Sequence, residues 1–229
     1  MKIMAIIQAR MSSDRFPGKT LHQVNGKPML QYLLERVKRC HNLDGLVVAT
    51  SVEESDSPVE MFCKDYGVMC FRGSLNDVAG RFIDVLANYP CDAFVRVNGD
   101  SPLMDPQLID LGVNLFRQGD FDIVTNIYPR SFPKGQSVEV LRFSSFCRDY
   151  EKMVNDDEHE HITRYFYNHP DLIRIHNFSS GTDSGGIQLS VDTLSDMVNF
   201  ERIINNMDRP HWEYSWFDIL SIMNSLQTN

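Results

Sequence analysis

Short apolar runs alternate with longer stretches of helical spacing over the first half of the chain. Ile3-Met-Ala-Ile-Ile7, Leu46-Val-Val-Ala-Thr50 and Ala93-Phe-Val-Arg-Val97 are rich in β-branched or aromatic residues and read as strands. The runs between them place apolar residues at helical intervals, as in Val78, Phe82, Val85 and Leu86. The pattern predicts strands at 3–9, 45–50, 68–71, 93–97 and 122–125. It predicts helices at 29–41, 58–66, 77–88 and 107–118. Strands alternating with helices imply an α/β fold with a mostly parallel sheet covered on both faces.

After Asn126 the pattern changes. Tyr128-Pro-Arg-Ser-Phe-Pro-Lys-Gly135 is a loop by its prolines and glycine. Strands are expected at 137–142, 172–177 and 187–191, and helices at 144–153, 159–167, 194–206 and 216–226. The reading is one domain, 1–229, with a small α+β arm inserted at about 128–180. That arm carries Tyr128, Phe132, Phe143, Phe146, Tyr150, Tyr165, Phe166 and Tyr167. So much aromatic surface predicts an interface, and a two-fold homodimer is the expected assembly.

Composition narrows the field. No apolar run reaches the ~18 residues of a membrane span, and no signal-peptide pattern precedes Ile3, so a cytoplasmic protein is expected. Five cysteines, with no C-x-x-C pair, argue against a zinc site or a disulfide framework. The formal net charge of −9 argues against coating nucleic acid. Yet residues 1–27 carry Lys2, Arg10, Arg15, Lys19 and Lys27 against Asp14 alone. An acidic protein with a basic amino-terminal pocket suits a small anionic ligand.

The candidate chemistry starts in that basic stretch, Gln8-Ala-Arg-Met-Ser-Ser-Asp-Arg-Phe-Pro-Gly-Lys19. It follows the first strand, where open α/β sheets bind ligands. Arg10, Arg15 and Lys19 supply phosphate-matching charge, and Pro17 and Gly18 shape the turn. The spacing is that of neither a P-loop nor a dinucleotide fingerprint. A second motif, Arg96-Val-Asn-Gly-Asp-Ser-Pro-Leu-Met-Asp105, ends a strand in Asn98, Gly99 and Asp100. A third, Gln188-Leu-Ser-Val-Asp-Thr193, ends in Asp192. Asp100 and Asp192 from neighbouring strand ends suit a magnesium ion, which takes one or two carboxylates plus phosphate oxygens and water. Taken singly, Asp192 also suits a helix cap and Asp100 a turn. Phe71-Arg-Gly-Ser-Leu-Asn-Asp-Val78 leaves a strand and enters a helix, with Arg72, Gly73 and Ser74 at the turn and Arg81 one turn on. His159 and His161 are two apart and do not share a helix face, which argues against zinc.

These motifs resemble the A-R-x-x-S-x-R-x-P-G-K, R-x-x-G-D and L-x-V-D signatures of the acylneuraminate and ketodeoxyoctonate cytidylyltransferase superfamily. The resemblance is nearest to its spore-coat polysaccharide biosynthesis protein F branch. It implies a Rossmann-like fold of the nucleotide-diphospho-sugar transferase type. It also implies transfer of CMP from CTP, with Mg²⁺, to an anionic acceptor such as a sugar acid, with release of pyrophosphate. Arg10, Arg15, Lys19, Asp100 and Asp192 would be catalytic, with Asp100 and Asp192 on the metal. Ala9, Arg10, Lys19, Arg72, Gly73, Ser74, Asn98 and Asp100 would bind nucleotide, with Arg72 at the cytosine. The stretch Glu158-His-Glu-His-Ile-Thr-Arg164 resembles the E-H-[VI]-x-x-Y segment of the family arm. It implies an acceptor pocket of Gln136, Glu139, Glu160, His161, Arg164 and Tyr165. Departures fall at Ser12 and Phe16 in the opening loop, at Arg164, and at Gln136-Ser137. Three other readings share these residues. One is a cytidylyltransferase for a phosphorylated small alcohol or amino-acid derivative, with Arg130, Lys134 and Arg164 as extra cations. Another is a glycosyltransferase using Asp120-x-Asp122. The third is a non-catalytic nucleotide sensor.

Overall fold

Seven strands form one sheet in the computed structural model, which describes residues 1–227. The chain runs β1 (Ile3–Gln8), a small hairpin of β2 (Gln23–Val24) and β3 (Lys27–Pro28), α1 (Met29–Val37), β4 (Gly45–Ser51), α2 (Ser57–Tyr66), β5 (Met69–Gly73) and α3 (Val78–Asn88). It continues through β6 (Ala93–Asn98), α4 (Pro106–Gln118), β7 (Ile123–Thr125), β8 (Glu139–Arg142), α5 (Phe143–Tyr150), α6 (Asp156–Glu160) and α7 (Arg164–Asn168). It ends with β9 (Ile175–Asn177), α8 (Leu194–Asn205) and α9 (Trp216–Gln227). The sheet order is β5-β4-β1-β6-β8-β7-β9, and only β8 runs antiparallel to its neighbours. This is the α/β architecture that the alternation predicts.

Strand parity sorts the core into two layers. Ile3, Ala5 and Ile7 of β1 pack with α1, α2 and α4, while Met4 and Ile6 pack with α3, α5 and α7. A third apolar cluster joins α8 and α9 to Val24, Met29 and Tyr32. After β1 the chain builds outward through β4 and β5, then returns to the other side of β1 with β6. The crevice at the carboxyl ends of β1 and β6 is therefore the topological switch point, where such sheets bind ligands.

Residues 128–180 do not stand apart from this body. They contribute β8 and β9 to the common sheet. Phe132, Phe146, Tyr165 and Phe166 are buried inside the chain, while Tyr128 stays exposed. The aromatic surplus that suggests a dimer interface is largely consumed by the chain's own core. Two spans also differ from expectation. The helix expected at 159–167 breaks at His161, which carries φ −106° and ψ 77° between α6 and α7. The strand expected at 187–191 forms only an isolated bridge between Lys134 and Gln188. Its backbone is tied instead to neighbouring loops, Leu189 N donating to Lys134 O and Val191 N to Asp100 O. Leu189 and Val191 face the α8–α9 cluster, so apolar alternation here serves a loop. Among the described residues no helix is long and apolar enough to cross a membrane.

Candidate active site

The loop after β1 is held in one shape by contacts from three sides. Met11 N donates to the buried carboxylate of Asp56 at 2.6 Å, and Thr20 Oγ1 donates to Arg10 O at 2.7 Å. Gly18 N closes onto Met11 O at 2.9 Å, with Gly18 in the left-handed region at φ 78°. Glycine adopts that backbone without the strain a Cβ would bring. The loop after β6 lies directly against it. Gly99 N donates to Gln8 O at 2.8 Å, and a Cβ on Gly99 would stand 2.7 Å from that oxygen. Glycine at 99 is what lets the two loops meet.

Between them opens a cleft of about 470 Å³ lined by Gln8, Ala9, Arg10, Arg15, Lys19, Arg81, Asn98, Asp100, Glu160, His161 and Asp192, among others. Lys19 is almost buried. Its Nζ donates to Val191 O at 2.6 Å and lies 3.5 Å from Asp100 Oδ2 and 3.4 Å from Asp192 Oδ1. Arg15, well exposed, reaches Asp192 Oδ1 at 2.9 Å. Arg10 faces Glu160 across the cleft at 3.5 Å. Arg10, Arg15, Lys19 and Arg81 thus share one concave site with Asp14, Asp100, Glu160 and Asp192 at a strand switch point. Such a concave, charged site at a strand switch point suits an anionic ligand.

Against this geometry stands the comparison with known proteins. The family model for cytidylyltransferase matches residues 4–204. The chain belongs to the cytidylyltransferase family. It is 31% identical to the spore coat polysaccharide biosynthesis protein SpsF of Bacillus subtilis, over 97% of this chain and 94% of that protein. A cytidylyltransferase from Leptospira borgpetersenii superposes with a TM-score of 0.94 at 31% identity, covering 100% of this chain and 96% of the other. The CMP:2-keto-3-deoxy-manno-octonic acid synthetase solved with CTP shares the fold, with a TM-score of 0.72 at 18% identity, over 90% of this chain and 99% of that one.

In this cytidylyltransferase the predicted residues divide into two groups. Ala9, Arg10, Arg15, Lys19, Asn98, Asp100, Glu160, His161 and Asp192 line the cleft. The others are engaged elsewhere. Arg72 turns outward, donating to Ser51 O at 2.9 Å and Glu53 O at 2.7 Å and pairing with Glu60 at 2.9 Å. Gly73 and Ser74 are not cleft-lining. Their part is indirect. A Cβ on Gly73 would come within 2.8 Å of Arg81 Cγ, and Ser74 O accepts from Arg81 Nη1 at 2.7 Å. Arg81 is the cation of this segment that reaches the cleft. Burial and nearby Arg10 push its guanidinium down to about 10.

Four of the expected acceptor residues are also displaced. Gln136 is fully buried and latches the loop after β6, donating to Leu103 O at 2.7 Å and accepting from Asp105 N at 2.8 Å. Glu139 is buried between Arg96 at 2.9 Å and the Tyr167 hydroxyl at 2.7 Å. Burial and the Glu139 charge raise Tyr167 well above the ordinary tyrosine range. Arg164 pairs on the surface with Asp157 at 3.0 Å, and Tyr165 is buried and stacked on His169. Asp122 is buried against Arg174 and Ser145 at the start of its strand, so Asp120-x-Asp122 belongs to a structural ion pair away from the cleft.

Sequence reasoning missed Gln8. Its Oε1 accepts from Arg96 Nε at 3.1 Å, and Arg96 in turn holds Glu139 and Thr163. It also left Asp56 out, although this buried carboxylate, just after the neighbouring strand β4, anchors the loop after β1. Asn98 Oδ1 and Arg81 Nε are buried and have no hydrogen-bond partner among the described residues. Both belong to cleft-lining residues, where a ligand with one donor and one acceptor would satisfy them.

Proposed function

We propose that the enzyme transfers CMP from CTP to an anionic sugar-acid acceptor, with magnesium, releasing pyrophosphate. The observation that carries this is the convergence of Arg10, Arg15 and Lys19 with Asp100 and Asp192 in one cleft. The family membership supplies the reaction class. A relative named 3-deoxy-manno-octulosonate cytidylyltransferase, from Pelobacter propionicus, supports the acceptor class.

The site suits magnesium. Among the described residues no three His, Cys, Asp or Glu side chains gather as a metal cluster. Two facing, partly exposed carboxylates are nevertheless what magnesium takes when phosphate oxygens and water complete its shell. Asp100 and Asp192 would hold the ion, which when bound neutralises phosphate charge and lowers the pKa of an oxygen nucleophile.

This chain's own residues do the rest. The rigid loop after β1 holds Arg10, Arg15 and Lys19 where the triphosphate charge lies. They stabilise the charge that grows on pyrophosphate as the acceptor oxygen displaces it from the α-phosphorus. Asn98 and Arg81 offer an acceptor and a donor that match the amino group and ring nitrogen of cytosine. Glu160 and His161 line the cleft across from the loop after β1, and the His161 imidazole is suited to take the proton from an acceptor hydroxyl.

Arg81 against Arg72 tests the placement of the base. Arg81→Lys is expected to weaken CTP binding by about tenfold to a hundredfold, the range for losing hydrogen bonds to a charged group. Arg72→Ala is expected to stay within about threefold of wild type, because that side chain serves the β5 edge. Calorimetric titration with CTP and magnesium reads both. A loss confined to Arg72→Ala would return the base to the position that the sequence motif suggests.

A further inference from the structure

Lys19 is placed more deeply than phosphate binding alone requires. The residue is only 8% exposed, and three oxygens surround its ammonium: Val191 O, Asp100 Oδ2 and Asp192 Oδ1. The last two belong to the side chains assigned above to the metal. Arg15 adds a second cation at Asp192 Oδ1. In the ligand-free enzyme, two positive side chains therefore balance two carboxylates.

A divalent ion arriving alone must push against both cations at short range. At such distances unlike charges attract strongly even under protein screening, and like charges repel as strongly. A triphosphate changes the balance, because its own negative charges receive Lys19 and Arg15 and free the carboxylates. The backbone at Lys19 is fixed by the turn through Gly18, with Lys19 N donating to Phe16 O at 3.3 Å. Only the flexible side chain has to swing.

We propose that Lys19 is an internal cation that occupies the space between Asp100 and Asp192 until the nucleotide draws it away, so that the divalent ion enters with the triphosphate and not before it. This rests on the assignment of Asp100 and Asp192 to the metal. It adds that the chain's own cations neutralise the two carboxylates and close the site to a free ion.

The test uses Mn²⁺ as the probe and reads free Mn²⁺ by electron paramagnetic resonance, first without nucleotide and throughout without acceptor or turnover. Wild type is expected to bind Mn²⁺ weakly, and Lys19→Met at least about tenfold more tightly. Arg15→Gln is expected to gain less, since Arg15 is exposed and touches Asp192 alone. The double variant Lys19→Met with Asp100→Asn is expected to lose the gain. Adding CTP to wild type is expected to remove clearly more free Mn²⁺ than the same CTP without enzyme. Lys19→Gln keeps a hydrogen-bond donor without the charge and should follow Lys19→Met if that variant folds poorly. Nucleotide-free wild type binding Mn²⁺ as tightly as Lys19→Met would overturn the internal cation while leaving the metal site standing. A gain that survives Asp100→Asn, or no more free Mn²⁺ removed with CTP than by the same CTP without enzyme, would overturn the metal assignment itself.

Discussion

Asp100→Asn and Asp192→Asn are each expected to lose about a thousandfold or more in turnover while keeping the wild-type fold. Each substitution removes one anionic oxygen with almost no change in volume. A metal-held phosphoryl site draws several kcal/mol of charge stabilisation from such ligands, and each ~1.4 kcal/mol is tenfold in rate. The fold should persist because both side chains are partly exposed, at 31% and 26%, and close onto the cleft. Pyrophosphate release across a magnesium titration, alongside circular dichroism, measures both halves. Wild-type turnover in either variant would remove that aspartate from the metal.

The largest expected effect on stability lies elsewhere, at Arg36. This side chain is fully buried between α1 and the chain before α9. It donates to Met104 O and Tyr214 O at 2.6 Å each, and also to His211 O. Burial pushes its guanidinium down to about 10, and the charge of Asp105 opposes that shift. Arg36→Met keeps most of the volume but leaves Met104 O and Tyr214 O without a donor, and His211 O with only the long contact from Tyr214 N at 3.5 Å. Each unsatisfied group costs ~1–3 kcal/mol, so a loss of about 3–5 kcal/mol is expected. Urea denaturation measures it, and a loss below about 1 kcal/mol would show that the carbonyls find other donors.

The basic loop was legible because its chemistry is local. An apolar strand stops, and within eleven residues come three cations, a proline and a glycine. Asp100 was legible as the carboxylate that ends a buried strand. Asp192 was legible by the same rule, although its segment is a loop that mimics strand alternation. What the sequence hides is decided by partners far along the chain. Arg72 and Arg81 sit nine positions apart with the same charge. Register against β4, where Arg72 pairs with Thr50, and the missing Cβ at Gly73 settle which one reaches the cleft. Gln136 and Glu139 look like polar pocket residues. Their partners, Leu103 and Asp105, Arg96, and Tyr167, lie on three other stretches of chain. Arg36 reads as the polar side of an amphipathic helix, yet its carbonyl partners are 68, 175 and 178 residues away. The start of the short helix α6 follows from capping. Asn155 Oδ1 accepts from Glu158 N at 2.9 Å and starts a short helix there, so Glu160 and His161 end it facing the cleft.

The central claim is cytidylyl transfer, and pyrophosphate release tests it most directly. Purified enzyme is given magnesium and each of CTP, UTP, ATP and GTP in turn, with and without a panel of sugar acids. The account predicts release with CTP alone, dependent on one acceptor, with a CMP-linked product of matching amount. Equal release from UTP, ATP or GTP, or release from CTP that no acceptor alters, would contradict it.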